Sequence, residues 1–164
     1  MNIKLELSQE SVRNGIRELN TYAKQLEKKC NTLCQRLAEI GVEAAVASVR
    51  VDTGNLQSSI HFEHIGDGEF LVITDCEYAA FVEFGTGVVG AGTYSGNLPP
   101  GWNYDERRTP QAHDPEDPTL WYYIDPESGY TASTRGQSAN GFMMMAAEEM
   151  RQNVLSIAKE VFQS

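Results

Sequence analysis

Three histidines and an excess of carboxylates are the side chains of this sequence whose chemistry suits acid–base catalysis or metal binding. His61 and His64 are three residues apart in a β-rich stretch, so strand alternation predicts that their imidazoles point to opposite faces and do not share a ligand. His113 lies in QAHDPEDP, residues 111–118, among carboxylates that could bind a cation. Because the glycine and the twelfth-position glutamate of an EF-hand are missing, a solvated loop is favoured, with a small metal-binding module or metal-dependent enzyme as the alternative.

The glycine-rich stretch GTGVVG, residues 85–90, has the G-x-G-x-x-G spacing of dinucleotide-binding loops. Such a loop needs a strand before it and a helix after it, because the helix N-terminus binds the pyrophosphate. Here a predicted helical turn precedes the glycines, and further glycines and prolines follow them. A P-loop is excluded as well, since no lysine occurs between Lys29 and Lys159. We therefore expect no nucleotide cofactor at this stretch.

The three cysteines form no catalytic or metal-binding pattern. Cys30 and Cys34 are one helical turn apart and are interpreted as small apolar side chains, and no CxxC or HxxxH pair is present to bring Cys76 into a zinc site. An odd number of cysteines also argues against a disulfide framework. No GxSxG nucleophile motif occurs. The sequence thus predicts neither an enzyme nor a bound cofactor or metal.

A length of 164 residues predicts one domain spanning residues 1–164 and one hydrophobic core. No apolar run approaches the roughly 18 residues that cross a bilayer, so no membrane segment is expected. The first ten residues, MNIKLELSQE, alternate charged and apolar side chains instead of forming a secretory signal. We therefore expect a soluble protein that stays in the compartment where it is made.

Charge is distributed unevenly along the chain, whose net charge is −10. Residues 1–50 carry eight basic and six acidic side chains, whereas residues 61–127 carry thirteen acidic side chains and only two arginines. An acidic surface repels nucleic-acid phosphates, so specific nucleic-acid binding is not expected. Two interpretations stay open, namely an acidic face that keeps the protein soluble and the lining of a passage through which DNA slides.

The start of the chain predicts a short strand and then a long helix. Residues 2–7, NIKLEL, alternate in polarity, and Ser8 is a suitable N-cap. From Val12 to Ala44, apolar residues recur at alternating intervals of four and three, which predicts one long helix or two shorter ones. Alanine and cysteine at several positions of this seam favour a helix that lies across a sheet over the self-standing coiled coil of an adaptor protein.

A hairpin and a short helical turn follow. SIHFEHI, residues 59–65, and EFLVITD, residues 69–75, are joined by Gly-Asp-Gly and predict two antiparallel strands. YAAFVEF, residues 78–84, has the spacing of a short amphipathic helix, in which Phe81 and Phe84 would pack on the hairpin. Gly85 ends this helix in the prediction.

The last third of the chain predicts a second pair of strands and a terminal helix. TLWYYID, residues 119–125, and GYTASTRG, residues 129–136, read as strands joined by a turn. Apolar residues from 142 to 161 recur at three and four. The predicted fold class is therefore α+β, with a long N-terminal helix and a C-terminal helix packed on a small, mainly antiparallel β-sheet.

Residues 85–118 are rich in glycine and contain five of the six prolines, so neither a helix nor a central strand is expected there. A segment this long is typical of disorder or of a binding arm. Tyr94, Trp102 and Tyr104 favour the arm, because disordered segments are poor in aromatic residues. We therefore predict an extended arm that becomes ordered against a partner, with Gly87 directing the chain outward.

Three stretches together resemble a known protein family. VRVDTGNLQSSI, residues 49–60, places an Asp-Thr-Gly-x-Leu turn after the long helix, and YAAFVEFGTG, residues 78–87, contains a Tyr-Ala…Glu-x-Gly-Thr corner. STRGQSANGFMMMAAEE, residues 133–149, is similar to the segment that opens the family's terminal helix, although Gly141 stands where proline is often found. In order and spacing these motifs resemble the small neck or minor tail proteins of long-tailed bacteriophages, which join head to tail or complete the tail.

This resemblance implies an α+β fold, a structural role without catalysis, and a ring of six or twelve copies. The expected partners are further copies of the chain and neighbouring head-completion and tail-tube or tail-terminator proteins. The expected location is the neck or the top of the tail of the virion, after synthesis in the host bacterial cytoplasm. The resemblance leaves open whether the ring is the neck, the tail-completion ring or the tail terminator. Its copies would meet through two different faces, because such a contact gives a ring when the rotation closes.

The residues expected to shape the protein or to form these contacts lie in three places. They are Asp52, Thr53, Gly54 and Leu56 in the turn, Tyr78, Glu83, Phe84, Gly85 and Thr86 at the corner, and Tyr94, Trp102 and Tyr104 on the arm, with Tyr94 and Trp102 as anchors. An equally favoured interpretation is that the turn and the corner are capped turns without any partner role.

Overall fold

The computed structural model describes residues 8–50, 54–104, 113–125 and 128–163. The elements in these ranges are α1 (Gln9–Ser48), α2 (Asn55–Ser59), β1 (Ile60–Gly66), β2 (Glu69–Thr74), α3 (Ala79–Phe84), α4 (Gly87–Gly90), β3 (Trp121–Ile124), β4 (Thr131–Thr134) and α5 (Phe142–Gln163). The strand predicted at residues 2–7 lies outside the described residues. Helices and antiparallel strands follow one another along the chain, so the predicted α+β class is confirmed.

α1 is one continuous helix of 40 residues, about 60 Å long at 1.5 Å per residue. The Ser8 hydroxyl accepts a hydrogen bond from the Ser11 backbone N–H at 3.1 Å, so Ser8 is the predicted N-cap. No proline interrupts the four–three seam, and the alternative of two shorter helices is therefore wrong.

α5 packs antiparallel along the C-terminal half of α1. At one end, Phe142 and Ala146 lie in the core beside Ala45. At the other end, Arg36 donates a hydrogen bond to Glu160 at 2.7 Å. The helices approach closely because α1 presents small buried residues to α5.

α1 approaches two of its neighbours closely at Gly41. A Cβ atom built at this position would lie 2.8 Å from the Met150 sulfur and 3.0 Å from Val72 Cγ2. The glycine therefore lets α1 contact both α5 and the hairpin at one level of the core.

The first half of α1 extends beyond α5, which has 22 residues and a length of about 33 Å. We call residues 9–28 the α1 extension; apart from Ser11 and Gly15, all of its residues are exposed. Val12, Ile16, Leu19 and Leu26 are 41–54 % exposed, although they continue the apolar seam of the helix. The prediction of a helix across a sheet thus applies to the second half of α1 only.

β1 and β2 form the predicted hairpin, with His61 opposite Ile73. α1 lies across it, and Val72 packs against the core. His64 faces the other side from His61 and stacks on Phe70 with ring centroids 4.7 Å apart, so the two imidazoles are separated as alternation predicts.

β3 and β4 pair antiparallel as predicted, with Trp121 opposite Thr134 and Ile124 opposite Thr131. They do not join the first hairpin, so the residues that the structure describes contain two separate two-stranded sheets. The second hairpin lies instead beside α3 and α4, where Trp121 approaches Gly87.

α3 ends at Gly85 as predicted, with the Gly85 N–H bonded to the Phe81 carbonyl at 3.0 Å. α3 buries Ala79 and Glu83, whereas Phe81 is 47 % exposed. The expectation that Phe81 and Phe84 pack on the first hairpin is therefore wrong. Residues 79 and 83 are one helical turn apart and share the buried face, which leaves residues 81 and 84 on the opposite side.

α4 lies within the stretch for which no helix was predicted, so that prediction is wrong at Gly87–Gly90. Its single turn is closed by hydrogen bonds from Gly90 N to Thr86 O and from Ala91 N to Gly87 O. Because Gly87 and Gly90 have no side chain, this turn can lie directly against the backbone of residues 135–137.

Candidate functional site

The corner consists of residues 82–87 paired with residues 135–141, the stretch that opens α5. Thr86 and Gln137 exchange two backbone hydrogen bonds of 2.9 and 3.1 Å. Further along, Asn140 N donates to Val82 O at 2.8 Å and Gly141 N donates to Glu83 O at 3.1 Å. Two of the three stretches that carry the family resemblance are thus joined directly to each other.

Glu83 is the buried carboxylate at the centre of the corner, and it is only 5 % exposed. Its Oε2 accepts the Met143 N–H at 2.8 Å, and its Oε1 accepts the Met144 N–H at 3.1 Å. These N–H groups belong to the first turn of α5, where the backbone N–H groups have no acceptor within the helix. The residue before the helix, Gly141, has no side chain that could cap them. Glu83 therefore caps a helix that begins 59 residues later, and its negative charge lies at the positive end of that helix.

The Tyr94 hydroxyl donates a third hydrogen bond to this carboxylate, to Glu83 Oε1 at 3.1 Å. The partial burial of the ring, the neighbouring Glu83 charge and the hydrogen bond to it together raise the pKa of the Tyr94 hydroxyl above 10. The protonated hydroxyl is the form that stabilises the fold. Its contribution is complete below about pH 10 and is lost as the pH rises through the pKa of the folded state.

We expect Tyr94→Phe to lower the free energy of unfolding by about 1 kcal/mol at pH 8, because one hydrogen bond to a buried carboxylate is lost. This difference from the wild type should shrink as the pH is raised from 9 to 11 in urea unfolding experiments. Tyr123→Phe changes an exposed ring of β3 and is the control. Its difference from the wild type in free energy of unfolding should not shrink as the pH is raised. If the difference in free energy of unfolding between Tyr94→Phe and the wild type stays constant from pH 9 to 11, the Tyr94 hydroxyl does not stabilise the fold through its proton.

Gly85 and Thr86 fix the path of the chain through the corner. Gly85 has φ 78° and ψ 169°, a conformation that is essentially restricted to glycine. A Cβ atom there would also lie 2.7 Å from Ala139 N and 2.8 Å from Gln137 O. The Thr86 side chain adds a hydrogen bond from Gln137 N at 3.2 Å, so both residues hold the two strands of the corner together.

The segment predicted to be an extended arm folds back on α3 instead. The Phe84 ring lies with its centroid 5.0 Å from those of Tyr94 and Trp102. Tyr104 donates its hydroxyl to the Phe84 carbonyl at 2.7 Å. Up to residue 104 the expectation of an outward arm, with Gly87 directing it, is therefore wrong, because the aromatic rings bury their apolar area against the phenylalanines of α3. Residues 105–112 lie outside the described residues.

This folding back creates a groove between α3, the segment around Trp102 and the β3–β4 hairpin. We call it the aromatic cleft; it has a volume of about 880 Å³. The rings that line it belong to Tyr78, Phe81, Trp102, Tyr104, Trp121 and Tyr123. Gly87 and Gly136 of the corner also line the cleft, so its shape depends on the corner.

Among the described residues that line the cleft, two have a buried polar atom without a hydrogen-bond partner, namely Trp102 Nε1 and His113 Nδ1. Both residues line the cleft. A buried donor without a partner is uncommon in native proteins, and a bound molecule is one way to satisfy it. The sequence indicated this cleft only weakly. Trp121 and Tyr123 are two residues apart in a strand and so lie on the same face, but no local pattern predicted that Phe81 and Trp102 lie opposite them.

The Asp-Thr-Gly turn is described only in part, because Asp52 and Thr53 lie outside the described residues. Gly54 precedes α2 with φ 81°, in the left-handed region. Leu56 is buried in the core next to Ile60. Leu56 therefore shapes the domain from inside, and its side chain is not available to a partner.

The His113 loop holds the carboxylates of Asp114 and Asp117 in hydrogen bonds within the chain. Asp114 accepts the Tyr122 hydroxyl at 2.6 Å, and this bond, with backbone N–H groups of the turn, lowers the pKa of Asp114. Asp117 accepts from Thr119 and pairs with Arg135 at 2.6 Å, and hydrogen bonds to these two residues lower its pKa. In the described part of the chain no group of three histidine, cysteine or acidic residues could hold a metal ion.

The three cysteines, Cys30, Cys34 and Cys76, are free thiols. No helix in the described ranges is long and apolar enough to cross a membrane.

A family model described as "Bacteriophage HK97-gp10, putative tail-component" matches residues 15–85. The matched residues run from the second turn of α1, through both strands of the first hairpin, to the glycine that ends α3. The resemblance to tail-associated proteins of tailed bacteriophages is thus confirmed over this stretch, and it supports a structural protein of the virion. Searches of curated proteins and of solved structures found no match.

Proposed function

We propose that this chain is a ring-forming neck or tail-completion component of a tailed bacteriophage, present as six or twelve copies that join the head to the tail. The observation that carries this proposal is the match of residues 15–85 to a phage tail-component family. The ring, its copy number and its place at the head-to-tail joint are our inference. Neighbouring head-completion and tail-tube or tail-terminator proteins are the proposed contacts on either side.

The surface of the chain suits assembly. Apolar side chains of the α1 extension and of α3, including Ile16, Leu19 and Phe81, are about half exposed. Apolar area of this kind on a small protein is typical of surfaces that associate. The arm contributes less than the sequence suggested, because Tyr94 and Trp102 already pack on Phe84. As interface anchors they would contact a partner only with the sides of their rings that α3 leaves uncovered.

The acidic side chains fit a joint through which DNA passes. From residue 54 to residue 134, the described residues include ten aspartates and glutamates and no lysine or arginine. We propose that part of this surface lines the DNA passage, where repulsion between carboxylates and phosphates lets the DNA slide.

Mass measurement of the full chain in solution tests the ring. We expect a closed assembly whose mass is six or twelve times 18.2 kDa, measured by light scattering after size exclusion and by native mass spectrometry. Antibody labelling of purified virions should place the protein at the head-to-tail joint. A chain that is monomeric at all soluble concentrations and is absent from virions would contradict the proposal.

A further inference from the structure

Residues 94–104, which we call the strap, lie across α3. Within the described ranges, the single backbone–backbone hydrogen bond made by residues 94–102 is internal to the strap, from Trp102 N to Pro99 O at 3.1 Å. Seven of the eleven strap residues are exposed, and the others are Tyr94, Pro99, Trp102 and Tyr104. A segment with few backbone bonds to its surroundings and little buried area belongs to the parts of a protein that open locally.

Three aromatic side chains fasten the strap to α3. The Trp102 ring centroid lies 5.0 Å from that of Phe84 and 5.8 Å from that of Phe81. Tyr94 meets the Phe84 ring edge to face, with centroids 5.0 Å apart. Tyr104 donates its hydroxyl to the Phe84 carbonyl at 2.7 Å. All three side chains thus contact one residue of α3, so the strap separates from α3 by breaking these contacts together.

The closed strap buries a polar group that has no partner. Trp102 Nε1 is buried without a hydrogen bond, and this loss of hydration opposes closure because water would bind the indole N–H in an open strap. Just before the strap, Gly92 has φ 74°, and a Cβ atom there would meet nothing within 4 Å. Glycine rotates more freely than other residues, so Gly92 is a pivot surrounded by open space.

Glu83 joins the strap to α5 through one oxygen atom. Its Oε1 accepts the Tyr94 hydroxyl at 3.1 Å and also the Met144 N–H at 3.1 Å. The Ser95 hydroxyl donates to the Met144 sulfur at 3.5 Å, which is a second contact between the strap and the first turn of α5. The strap and the start of α5 therefore share an acceptor.

We propose that the strap opens and closes as a unit over α3, and that Glu83 couples its position to the capping of α5. In the open state, water replaces the Tyr94 hydroxyl at Oε1 and competes with the Met143 and Met144 N–H groups for the carboxylate. Opening also withdraws Trp102 from the wall of the aromatic cleft. One movement thus changes the cleft and the start of α5 together. This inference goes beyond the proposed function and does not depend on it, because all of its contacts lie within one chain.

Hydrogen exchange in the full-length chain, followed by NMR, measures this opening. Under native conditions the exchange rate is proportional to the fraction of open molecules. The Trp102 indole N–H reports on the strap, the Met143 and Met144 amides report on the start of α5, and the Ile157 amide in the buried face of α5 reports on global unfolding. We expect the indole and the two methionine amides to exchange at least tenfold faster than Ile157, with a weaker dependence on urea.

Two variants loosen the strap without changing Glu83. Trp102→Ala removes the ring contacts with α3 and should speed the exchange of the Met143 and Met144 amides at least tenfold. Tyr104→Phe keeps the ring, removes one hydrogen bond and should speed this exchange about fivefold; it decides the question if Trp102→Ala does not fold. Leu98→Ala is the matched control, because it shortens an exposed side chain of the same strap, and its rates should stay within about twofold of the wild type.

Coupling is reciprocal, so a change at Glu83 should reach the strap. Glu83→Gln should speed the exchange of the Trp102 indole N–H at least threefold, because a neutral amide oxygen binds the Tyr94 hydroxyl more weakly than a carboxylate does.

Three results would overturn the proposal. If the Trp102 indole N–H exchanges no faster than the Ile157 amide, the strap opens only when the whole domain unfolds. If Tyr104→Phe leaves the exchange of Met143 and Met144 unchanged, the strap and α5 move independently. If Glu83→Gln leaves the indole exchange unchanged, Glu83 does not transmit the movement. None of these results bears on the ring, which the mass measurement tests separately.

Discussion

Glu83→Ala should lower the free energy of unfolding by about 3 kcal/mol, because three donors lose their acceptor in a buried place. Two of these donors are N–H groups in the first turn of α5, where a missing cap alone costs about 1 kcal/mol. For a chain of this length, the loss corresponds to a fall in Tm of roughly 6–12 °C. Thermal and urea unfolding followed by circular dichroism will measure both quantities.

Glu77→Ala is the matched control, since Glu77 is an exposed glutamate six residues earlier. It should change the stability by less than about 0.5 kcal/mol. Glu83→Gln keeps the shape of the side chain but offers one acceptor oxygen instead of two, so we expect a stability between those of the wild type and the alanine variant.

A double-mutant cycle tests the bond between Tyr94 and Glu83. Tyr94→Phe should cost less in the Glu83→Ala background than in the wild type, because the hydroxyl then has no carboxylate to bind. Equal costs in both backgrounds, or an alanine variant as stable as the control, would contradict the capping role of Glu83.

Local patterns predicted the elements of this fold but not their long-range contacts. The four–three seam predicts α1, and Gly-Asp-Gly between β-rich runs predicts the first hairpin, because both depend on neighbouring residues. Glu83 was expected to shape the corner, but its partner is the start of α5, 59 residues away. A trace of this contact is visible in the sequence: Gly141 gives α5 no cap of its own, so an acceptor must come from elsewhere.

The direction of the glycine-rich segment could not be predicted for a different reason. Tyr94, Trp102 and Tyr104 must bury apolar area, but a partner molecule and the chain's own α3 can cover the same rings with similar gain. The choice depends on Phe81 and Phe84, which the predicted packing had assigned to the first hairpin. The wrong prediction that Phe81 and Phe84 pack on the first hairpin thus led to the wrong prediction that the glycine-rich segment extends outward.

The α1 extension shows a further limit of pattern analysis. Its apolar seam was recognised, and the seam continues without a break into the buried half of the helix. The point along α1 at which α5 stops packing on the seam depends on the length of α5 and on its antiparallel direction. Only the folded chain reveals both. The exposed part of the seam therefore became visible as a surface only in the structure.

Gly85→Ala should lower the free energy of unfolding by at least about 3 kcal/mol, because strain and overlap act together at this position. The conformation of Gly85 is costly for alanine by about 1–3 kcal/mol, and the new Cβ would overlap Ala139 N and Gln137 O. Both obstacles are backbone atoms, so relief requires the two strands of the corner to separate. This would weaken the Thr86–Gln137 pairing and the path of α4 behind it.

Gly92→Ala isolates the contribution of the overlap. Gly92 also has a positive φ, 74°, but a Cβ atom there would meet nothing within 4 Å. Its substitution should therefore cost only the conformational strain, about 1 kcal/mol. The difference between the two variants in urea unfolding measures how tightly the corner is closed. Equal losses would mean that the backbone of residues 137–139 moves away without cost, and that the corner is not the rigid element from which the aromatic cleft takes its shape.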